Sequence, residues 1–269
     1  MAKLSDLRLR FWITLAKRLI YTVDDSLTFL RRLRHGRPPA GVPGNNPVLL
    51  TIPTTHGYLD AQLGPASYPH AAILLCHGIG DRLSYWKGVQ TQLSAHGIVS
   101  LIFDYASYGR STGTLSVQTL REDTQAAYAH LRASAPGLPI FLLGFSMGTG
   151  IATEAIPHLS PAPAGLILCQ PFLSLRAAAA QITRSHLLAR LIPDVWNTAA
   201  TLPSLSIPLL IVHGDADRLF PLHHAHTLHA AQPAATLVIP PGFTHPGGYL
   251  NPTLTYWQPI LNFIKRHMH

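Results

Sequence analysis

The sequence predicts an α/β domain with a mostly parallel central sheet and helices on both of its faces. Short apolar runs alternate with longer segments of helical periodicity, which is typical of strands joined by helical crossovers. The apolar runs are also continuous, as expected of strands that are buried on both faces. Of the 269 residues, 47% are hydrophobic and 12% are charged, which excludes a disordered chain. At this length we favour one domain over two smaller ones.

A basic segment, residues 1–37, opens the chain. It holds nine cations and three anions, and therefore carries +6 of the formal net charge of +8. Its pattern predicts a helix over 4–35, because apolar residues recur at three- and four-residue spacing. These residues are Leu4, Leu7, Phe11, Leu15 and Leu19. Since Lys17 and Arg18 interrupt the apolar run, the helix is too polar to span a bilayer or to act as a signal peptide.

Two interpretations of this basic segment stay open. Its cations suit a helix that lies on an anionic membrane surface, and its apolar residues suit a helix that packs on the domain. The rest of the chain is nearly neutral, which argues against a nucleic-acid-binding surface. Because no secretion signal is found, we expect a cytoplasmic protein, peripheral to the membrane where the segment binds lipid. The sequence leaves the oligomeric state open.

A linker rich in proline and glycine, residues 38–47, leads into the predicted α/β domain at 48–269. The alternation predicts strands at Val48–Pro53, Tyr58–Leu63, Ala71–Cys76, Ile98–Phe103, Ile140–Leu143, Gly165–Cys169, Pro208–His213 and Thr236–Ile239. It predicts helices at Trp86–Ala95, Val117–Ala133, Gly148–Leu159, Leu222–Ala230 and Thr253–His267. A short insertion at about 174–204, with a helix over 176–191, is expected to form a small cap.

The fifth predicted strand runs into Gly144-Phe145-Ser146-Met147-Gly148 and then into a helix. This Gly-x-Ser-x-Gly pattern is typical of a nucleophile elbow, a tight turn that presents a serine hydroxyl above the edge of the sheet. Glycines flank the serine because a side chain there would collide with the neighbouring backbone. We therefore predict Ser146 as a nucleophile.

A serine nucleophile that attacks a carbonyl needs N–H donors for the developing oxyanion. The N–H of Met147, directly after the nucleophile, is one expected donor. The second is expected from the loop after the third predicted strand, His77-Gly78-Ile79-Gly80, and we assign it to Ile79. His77 itself is interpreted as a structural residue that ties neighbouring loops.

The acid that orients a catalytic histidine is sought after the seventh predicted strand, in His213-Gly214-Asp215-Ala216-Asp217. We favour Asp217, which lies in the loop proper, over Asp215, which is nearer the strand and better placed to bond local backbone. Asp104 lies before the serine in the chain. We interpret it as a carboxylate that stabilises a loop, and we leave it out of the set of catalytic residues.

The general base is predicted to be His245, which lies in a glycine-rich loop after the last predicted strand. The chain has 16 histidines, and what distinguishes this one is the order serine, aspartate, histidine, each on a loop that follows a strand. His245 would take the proton of Ser146 and return it to the leaving group, while Asp217 would hold the tautomer of the imidazole.

Two other groups of residues invite a metal or redox interpretation. A histidine run lies in one predicted helix and consists of His223, His224, His226 and His229. No carboxylate or cysteine cluster supports a designed metal site there, so we interpret these histidines as surface residues. Cys76 and Cys169 both end apolar runs and are predicted to be reduced core residues.

Taken together, these motifs resemble the α/β-hydrolase superfamily over about residues 48–267. The chain is similar in particular to compact bacterial serine hydrolases related to monoacylglycerol lipases and to the serine-aminopeptidase-like group. The resemblance implies a serine hydrolase with no metal or organic cofactor. Because the cap insertion has only about 30 residues, the site is expected to be open enough for a bulky or membrane-borne ester.

The resemblance favours a hydrolase of carboxylic esters or thioesters that forms an acyl-enzyme on Ser146, with a small-molecule or lipid acyl ester as substrate. One alternative is an aminopeptidase or amidase that uses the same triad. The other is a catalytically silent member of the fold that acts as a binding protein or membrane scaffold. The intact serine, aspartate and histidine argue against the silent alternative.

Overall fold

A computed structural model describes residues 2–23 and 46–268 of the chain. Within the first range, it describes the side chains of residues 5–16. Within this part of the chain, eight strands form one sheet in the order β1-β2-β4-β3-β5-β6-β7-β8. The strands are β1 Val48–Thr54, β2 Gly57–Gly64, β3 Ala71–Cys76, β4 Ile98–Phe103, β5 Ile140–Phe145, β6 Gly165–Cys169, β7 Leu209–Val212 and β8 Thr236–Val238. β2 runs antiparallel to both of its neighbours, and the other pairs are parallel.

The helices are α1 Ala2–Val23, α2 Lys87–Ala95, α3 Val117–Ser134, α4 Met147–Ala155, α5 Leu175–Thr183, α6 His186–Ala189, α7 Thr198–Thr201, α8 His223–Ala231, α9 Gly247–Leu250 and α10 Leu254–Arg266. Short 3-10 turns lie at Leu83–Trp86, Ile156–His158 and Leu202–Ser204. The predicted fold class is therefore confirmed: a mostly parallel sheet lies among helices, and all predicted strands are present with ends shifted by at most two residues.

The central strands are buried along their whole length, and their alternate side chains point to opposite faces. In β5, Leu142 belongs to one core cluster and its neighbour Leu143 to the other. Leu120 and Ile151, from α3 and α4, join the first cluster. Val89 from α2 joins the second, together with residues of α10. The sheet is thus covered on both faces, as its continuous apolar runs predicted.

The cap differs in detail from the sequence prediction. The helix expected over 176–191 is divided into α5 and α6. The break occurs at Arg184, whose φ of 53° lies in the left-handed region and ends α5. Ser185 then starts α6, since its side chain accepts a hydrogen bond from the N–H of Leu188 at 3.2 Å. Local capping chemistry has overridden the longer helical pattern.

The N-terminal helix α1 packs on the domain. Its buried side chains, Leu9, Trp12, Ile13 and Ala16, belong to the same core cluster as the helices on one face of the sheet. Leu7 and Phe11, from the apolar row that predicted the helix, are exposed instead. Residues 24–35 of the predicted helix and 38–45 of the predicted linker lie outside the described residues. No helix in the described ranges has the length and apolar character needed to cross a membrane.

Candidate active site

Ser146 lies in the sharp turn between β5 and α4 and has a φ of 52°, a value that most side chains avoid. The turn requires glycine on both sides of Ser146, because backbone atoms occupy the space that a Cβ atom would need at either position. A Cβ atom on Gly148 would collide with the carbonyl groups of Cys76 and His77, at the end of β3. A Cβ atom on Gly144 would collide with the first turn of α4. The geometry is that of a nucleophile elbow.

His245 lies between β8 and α9, and the fold brings it to the serine. Its Nε2 is 2.9 Å from Oγ of Ser146, and its Nδ1 is 2.7 Å from Oδ2 of Asp217. A carboxylate oxygen accepts only, so Nδ1 carries the proton and Nε2 is left to accept the hydroxyl proton of the serine. The three predicted residues, each on the loop after a different strand, thus form one chain of hydrogen bonds.

Asp217 is buried and its carboxylate is held on both oxygens. Oδ1 accepts hydrogen bonds from the N–H groups of Leu219 at 2.8 Å and Phe220 at 2.9 Å, while Oδ2 faces His245. Burial alone would raise the pKa of Asp217, but the nearby charges and hydrogen bonds, chiefly those of His245, outweigh it and lower the pKa. The residue is therefore ionised at neutral pH.

The competing acid, Asp215, has a different place. It is exposed at the start of the loop, and its Oδ1 accepts a hydrogen bond from the N–H of Gly242. It thus bonds to the backbone of the turn that precedes the histidine loop. This local role agrees with the choice of Asp217 as the residue that faces His245.

The predicted oxyanion donors lie beside the serine. Ile79 and Met147 both line the small cavity that Ser146 lines. Within the described residues, the N–H groups of these two residues make no hydrogen bond to another backbone group. N–H groups without a backbone partner, next to the hydroxyl of a candidate nucleophile, are what an oxyanion hole requires.

Asp81 fixes the loop that contains Ile79. Its Oδ2 accepts the N–H of Gly78 at 2.9 Å, and its Oδ1 accepts the hydroxyl of Tyr249 from α9 at 2.9 Å. Burial raises the pKa of Asp81, although His77 and these hydrogen bonds act against the shift. The loop is thereby tied to the helix that follows His245.

His77 and Asp104 lie where neighbouring loops meet. Nδ1 of His77 donates to the carbonyl of Gly78 at 2.8 Å, and Nε2 lies 3.4 Å from Oδ1 of Asp104. The hydroxyl of Tyr105 donates to the carbonyl of His77 at 3.1 Å. These contacts brace the loops after β3 and β4, in line with the structural roles expected of both residues.

Gln170 connects the acid and histidine loops and was missed by the sequence analysis. It follows β6 directly, is fully buried and has a φ of 52°. Its Nε2 donates to the carbonyl of Thr244 at 3.0 Å, and its Oε1 accepts the N–H of Gly214 at 2.7 Å. One side chain therefore ties the residue before His245 to the start of the loop that carries Asp217. The sequence feature that could have identified Gln170 is its position, an amide residue directly after a buried strand.

We expect Gln170→Leu to lower the free energy of unfolding by roughly 1–3 kcal/mol, because the buried N–H of Gly214 is left without a partner and the carbonyl of Thr244 loses its donor. Denaturant unfolding at constant pH measures the change. The matched control is Gln118→Leu, since Gln118 is exposed and its side chain bonds to Glu122 on the same helix. The control should change the free energy by no more than about 0.5 kcal/mol. Equal unfolding midpoints for the two variants would contradict this role of Gln170.

The histidine run on α8 contains one buried member, which corrects the prediction that all four are surface residues. His224 is 2% exposed, and its Nδ1 accepts the N–H of Leu173 at 3.3 Å. Burial, with His223 and His213 nearby, lowers its pKa to about 4, so it is neutral at pH 7. In the described part of the chain, no three histidine, cysteine, aspartate or glutamate side chains are arranged to hold a metal ion.

Both cysteines are free and buried, as predicted. Burial raises the pKa of each of the two thiols, Cys76 and Cys169, to about 12. A thiol with such a high pKa is protonated at neutral pH and does not act as a nucleophile. Ser146 therefore has no competing thiolate in the core beside it.

The expectation of an open site is wrong for this structure. Ser146 is only 3% exposed, and the cavity beside its side chain has a volume of about 30 Å³. Trp12 from α1 and Leu175 from α5 both line this cavity. The short cap insertion predicted little cover, but the N-terminal helix supplies cover from a distant part of the sequence.

Comparisons with known proteins identify the family of the chain. The family model described as serine aminopeptidase, S33, matches residues 67–204. An uncharacterised Mycobacterium tuberculosis protein, Rv2307c, is 30% identical over 216 residues, which are 77% of this chain and 75% of that protein. The mouse lysophosphatidylserine lipase ABHD12 is 30% identical over 186 residues, which are 60% of this chain and 45% of that protein.

Among solved structures, an esterase of Pyrococcus furiosus, Pf2001, has a similar fold. The TM-score is 0.70 at 18% sequence identity, with 87% of this chain and 98% of that chain covered. At that identity the likeness concerns the fold. The family match extends over more than half of the sequence and includes the elbow, and the chain therefore belongs to the serine aminopeptidase S33 family of α/β-hydrolases.

Proposed function

We propose that this protein is a serine hydrolase that cleaves carboxylic esters or thioesters through an acyl-enzyme on Ser146. The observation that carries the proposal is the chain of short hydrogen bonds from Ser146 through His245 to Asp217, at 2.9 and 2.7 Å. A serine hydroxyl is a weak nucleophile unless a base takes its proton as it attacks. The distance of 2.9 Å between its Nε2 and Oγ of Ser146 supports His245 as that base.

In acylation, Oγ of Ser146 attacks the carbonyl carbon of the ester while its proton moves to Nε2 of His245. The carbonyl electron pair moves onto oxygen, and the N–H groups of Ile79 and Met147 stabilise the oxyanion. When the tetrahedral intermediate collapses, the bond to the leaving alcohol or thiol breaks. His245 gives its proton to that leaving group.

In deacylation, a water molecule repeats the attack on the acyl-serine. His245 takes a proton from the water, the bond between the acyl carbon and Oγ breaks, and the proton returns to Oγ. The carboxylic acid leaves and the enzyme is restored. In both half-reactions Asp217 remains ionised because its pKa is low. Its negative charge stabilises the imidazolium next to it.

The lining of the cavity favours an ester with an apolar acyl group. All of the described residues that line it, apart from Ser146, are apolar. A second candidate, an aminopeptidase, is suggested by the description of the matching family. Recognition of a free amino terminus requires a carboxylate near the nucleophile, and the described residues of the lining supply none. The relatives named as lipase and esterase agree with the ester proposal.

A panel of p-nitrophenyl esters, acyl thioesters and aminoacyl anilides tests the proposal, with the Ser146→Ala protein as the blank. We expect hydrolysis of the esters or thioesters, with little turnover of the anilides. Turnover of the anilides at a higher kcat/KM than the esters would favour the aminopeptidase. No turnover of any compound by folded protein would favour a catalytically silent member of the family.

We also propose that the outer face of α1 contacts an anionic membrane surface. Leu7 is 61% exposed and Phe11 is 68% exposed, with Arg8 exposed between them. Apolar side chains flanked by cations suit the interface of an anionic bilayer. We expect Leu7→Ser with Phe11→Ser to lower co-sedimentation with phosphatidylserine vesicles severalfold. Equal sedimentation of this double variant and the wild type would overturn the proposal.

A further inference from the structure

The inner face of α1 forms part of the cavity at the candidate nucleophile. Trp12, Ile13 and Ala16 are 2%, 3% and 1% exposed, and all three line the cavity that contains the side chain of Ser146. They lie within about one turn of each other on the helix. A segment far from the catalytic motifs in sequence is therefore in direct contact with the space where a substrate must react.

A second part of the cavity lining comes from α5. Leu175, Ala178 and Ile182 line it, at the three- and four-residue spacing of one helical face. The cavity is thus lined in part by apolar side chains from two helices. Among the described residues that line it, all except Ser146 have apolar side chains, so its chemistry suits an aliphatic chain.

The size of the cavity implies that one wall moves when a chain enters. Its volume is only about 30 Å³. A long acyl chain therefore requires space that side chains now occupy. α5 is part of the cap that follows β6, whereas α1 belongs to a separate segment at the start of the chain.

The side chain of Trp12 is the largest of those that α1 contributes to the cavity. We propose that α1 is the adjustable wall of an acyl-chain pocket and that Trp12 limits the length of the unbranched aliphatic acyl group that Ser146 accepts. The inference rests on the proposed function and names its substrate class, an ester of an aliphatic acid. Removal of the Trp12 indole enlarges the cavity on the side of α1.

The test uses the full chain and compares kcat/KM for p-nitrophenyl octanoate with kcat/KM for p-nitrophenyl acetate. Each added methylene that enters an apolar pocket is worth about fourfold in kcat/KM. We expect Trp12→Ala to raise the ratio of octanoate to acetate at least roughly tenfold. The ratio is insensitive to partial unfolding, because both esters are measured on the same preparation and the active fraction cancels.

Two further variants make the test specific. Thr14→Ala changes the exposed face of the same helix, and it should leave the ratio within about twofold of the wild type. Ala178→Phe narrows the cavity from the α5 side and should lower the ratio severalfold. All assays are made without lipid, so that any contact of α1 with membranes does not affect the measured rates.

Several outcomes would overturn the inference. If Trp12→Ala changes both esters by the same factor, α1 is only a cover and does not shape the pocket. If Thr14→Ala shifts the ratio as much as Trp12→Ala does, the effect belongs to the helix and not to its inner face. If the wild type hydrolyses neither ester, the proposed function fails and the inference fails with it. Retained hydrolysis with unchanged ratios would reject the inference alone.

Discussion

Ser146→Ala is expected to lower kcat for ester hydrolysis by roughly 10⁶-fold, while the protein remains folded. The hydroxyl that His245 holds at 2.9 Å is lost, and no acyl-enzyme can form. Residual hydrolysis of about 10³-fold over water would come from the oxyanion donors and from substrate binding. Alanine has nearly the same backbone preference as serine at the positive φ of the elbow, so we expect the free energy of unfolding to change little.

The measurement is steady-state hydrolysis of p-nitrophenyl acetate, with circular dichroism to verify the fold. Ser134→Ala is the matched control, because Ser134 is exposed at the end of α3 and should retain wild-type kcat and KM. Retention of more than a few per cent of wild-type activity by folded Ser146→Ala protein would place the nucleophile elsewhere.

Asp217→Asn is expected to lower kcat by roughly 10⁴-fold. The amide has no charge to stabilise the imidazolium. In addition, an amide N–H that turns toward Nδ1 of His245 would favour the tautomer whose Nε2 carries the proton, and that tautomer cannot accept the proton of Ser146. KM should change much less than kcat, because the substitution lies behind the histidine and away from the substrate.

The control for this prediction is Asp215→Asn, two residues earlier in the same loop. Its side chain bonds to the N–H of Gly242, and the oxygen of asparagine can accept that bond equally well. We therefore expect near wild-type kinetics. A loss of kcat in Asp215→Asn as large as that in Asp217→Asn would show that loop conformation, not the orientation of His245, accounts for both effects.

The fold and the proximity of Ser146, Asp217 and His245 could be predicted because their signals are local or ordered along the chain. Continuous apolar runs predicted the buried strands, and the glycines beside Ser146 predicted the elbow, whose close backbone packing the structure explains. Asp217 and His245 could be predicted because each lies on the loop after a strand, and strand ends of a parallel sheet meet at one edge. The fold brings Ser146 and His245 together although they are 99 positions apart in the sequence.

The remaining features of the site depend on contacts that no local pattern encodes. The row of Leu7 and Phe11 predicted a helix correctly, but the face that is buried is decided by the surface that it packs against, and Trp12 faces that surface. Likewise, the role of Gln170 depends on two loops, both distant in sequence, which meet only in the folded sheet. Ser146 is covered because α1 packs on the domain with Trp12 facing it.

Covalent labelling with an alkyl fluorophosphonate tests the central claim most directly. In this reaction Oγ of the activated serine bonds to phosphorus and fluoride leaves, so the label records both the nucleophile and its activation by His245. Intact-mass measurement and peptide mapping should find one adduct per chain, on the peptide that contains Ser146, and none in Ser146→Ala protein. Folded wild-type protein that forms no adduct, or an adduct that maps to another residue, would contradict the account.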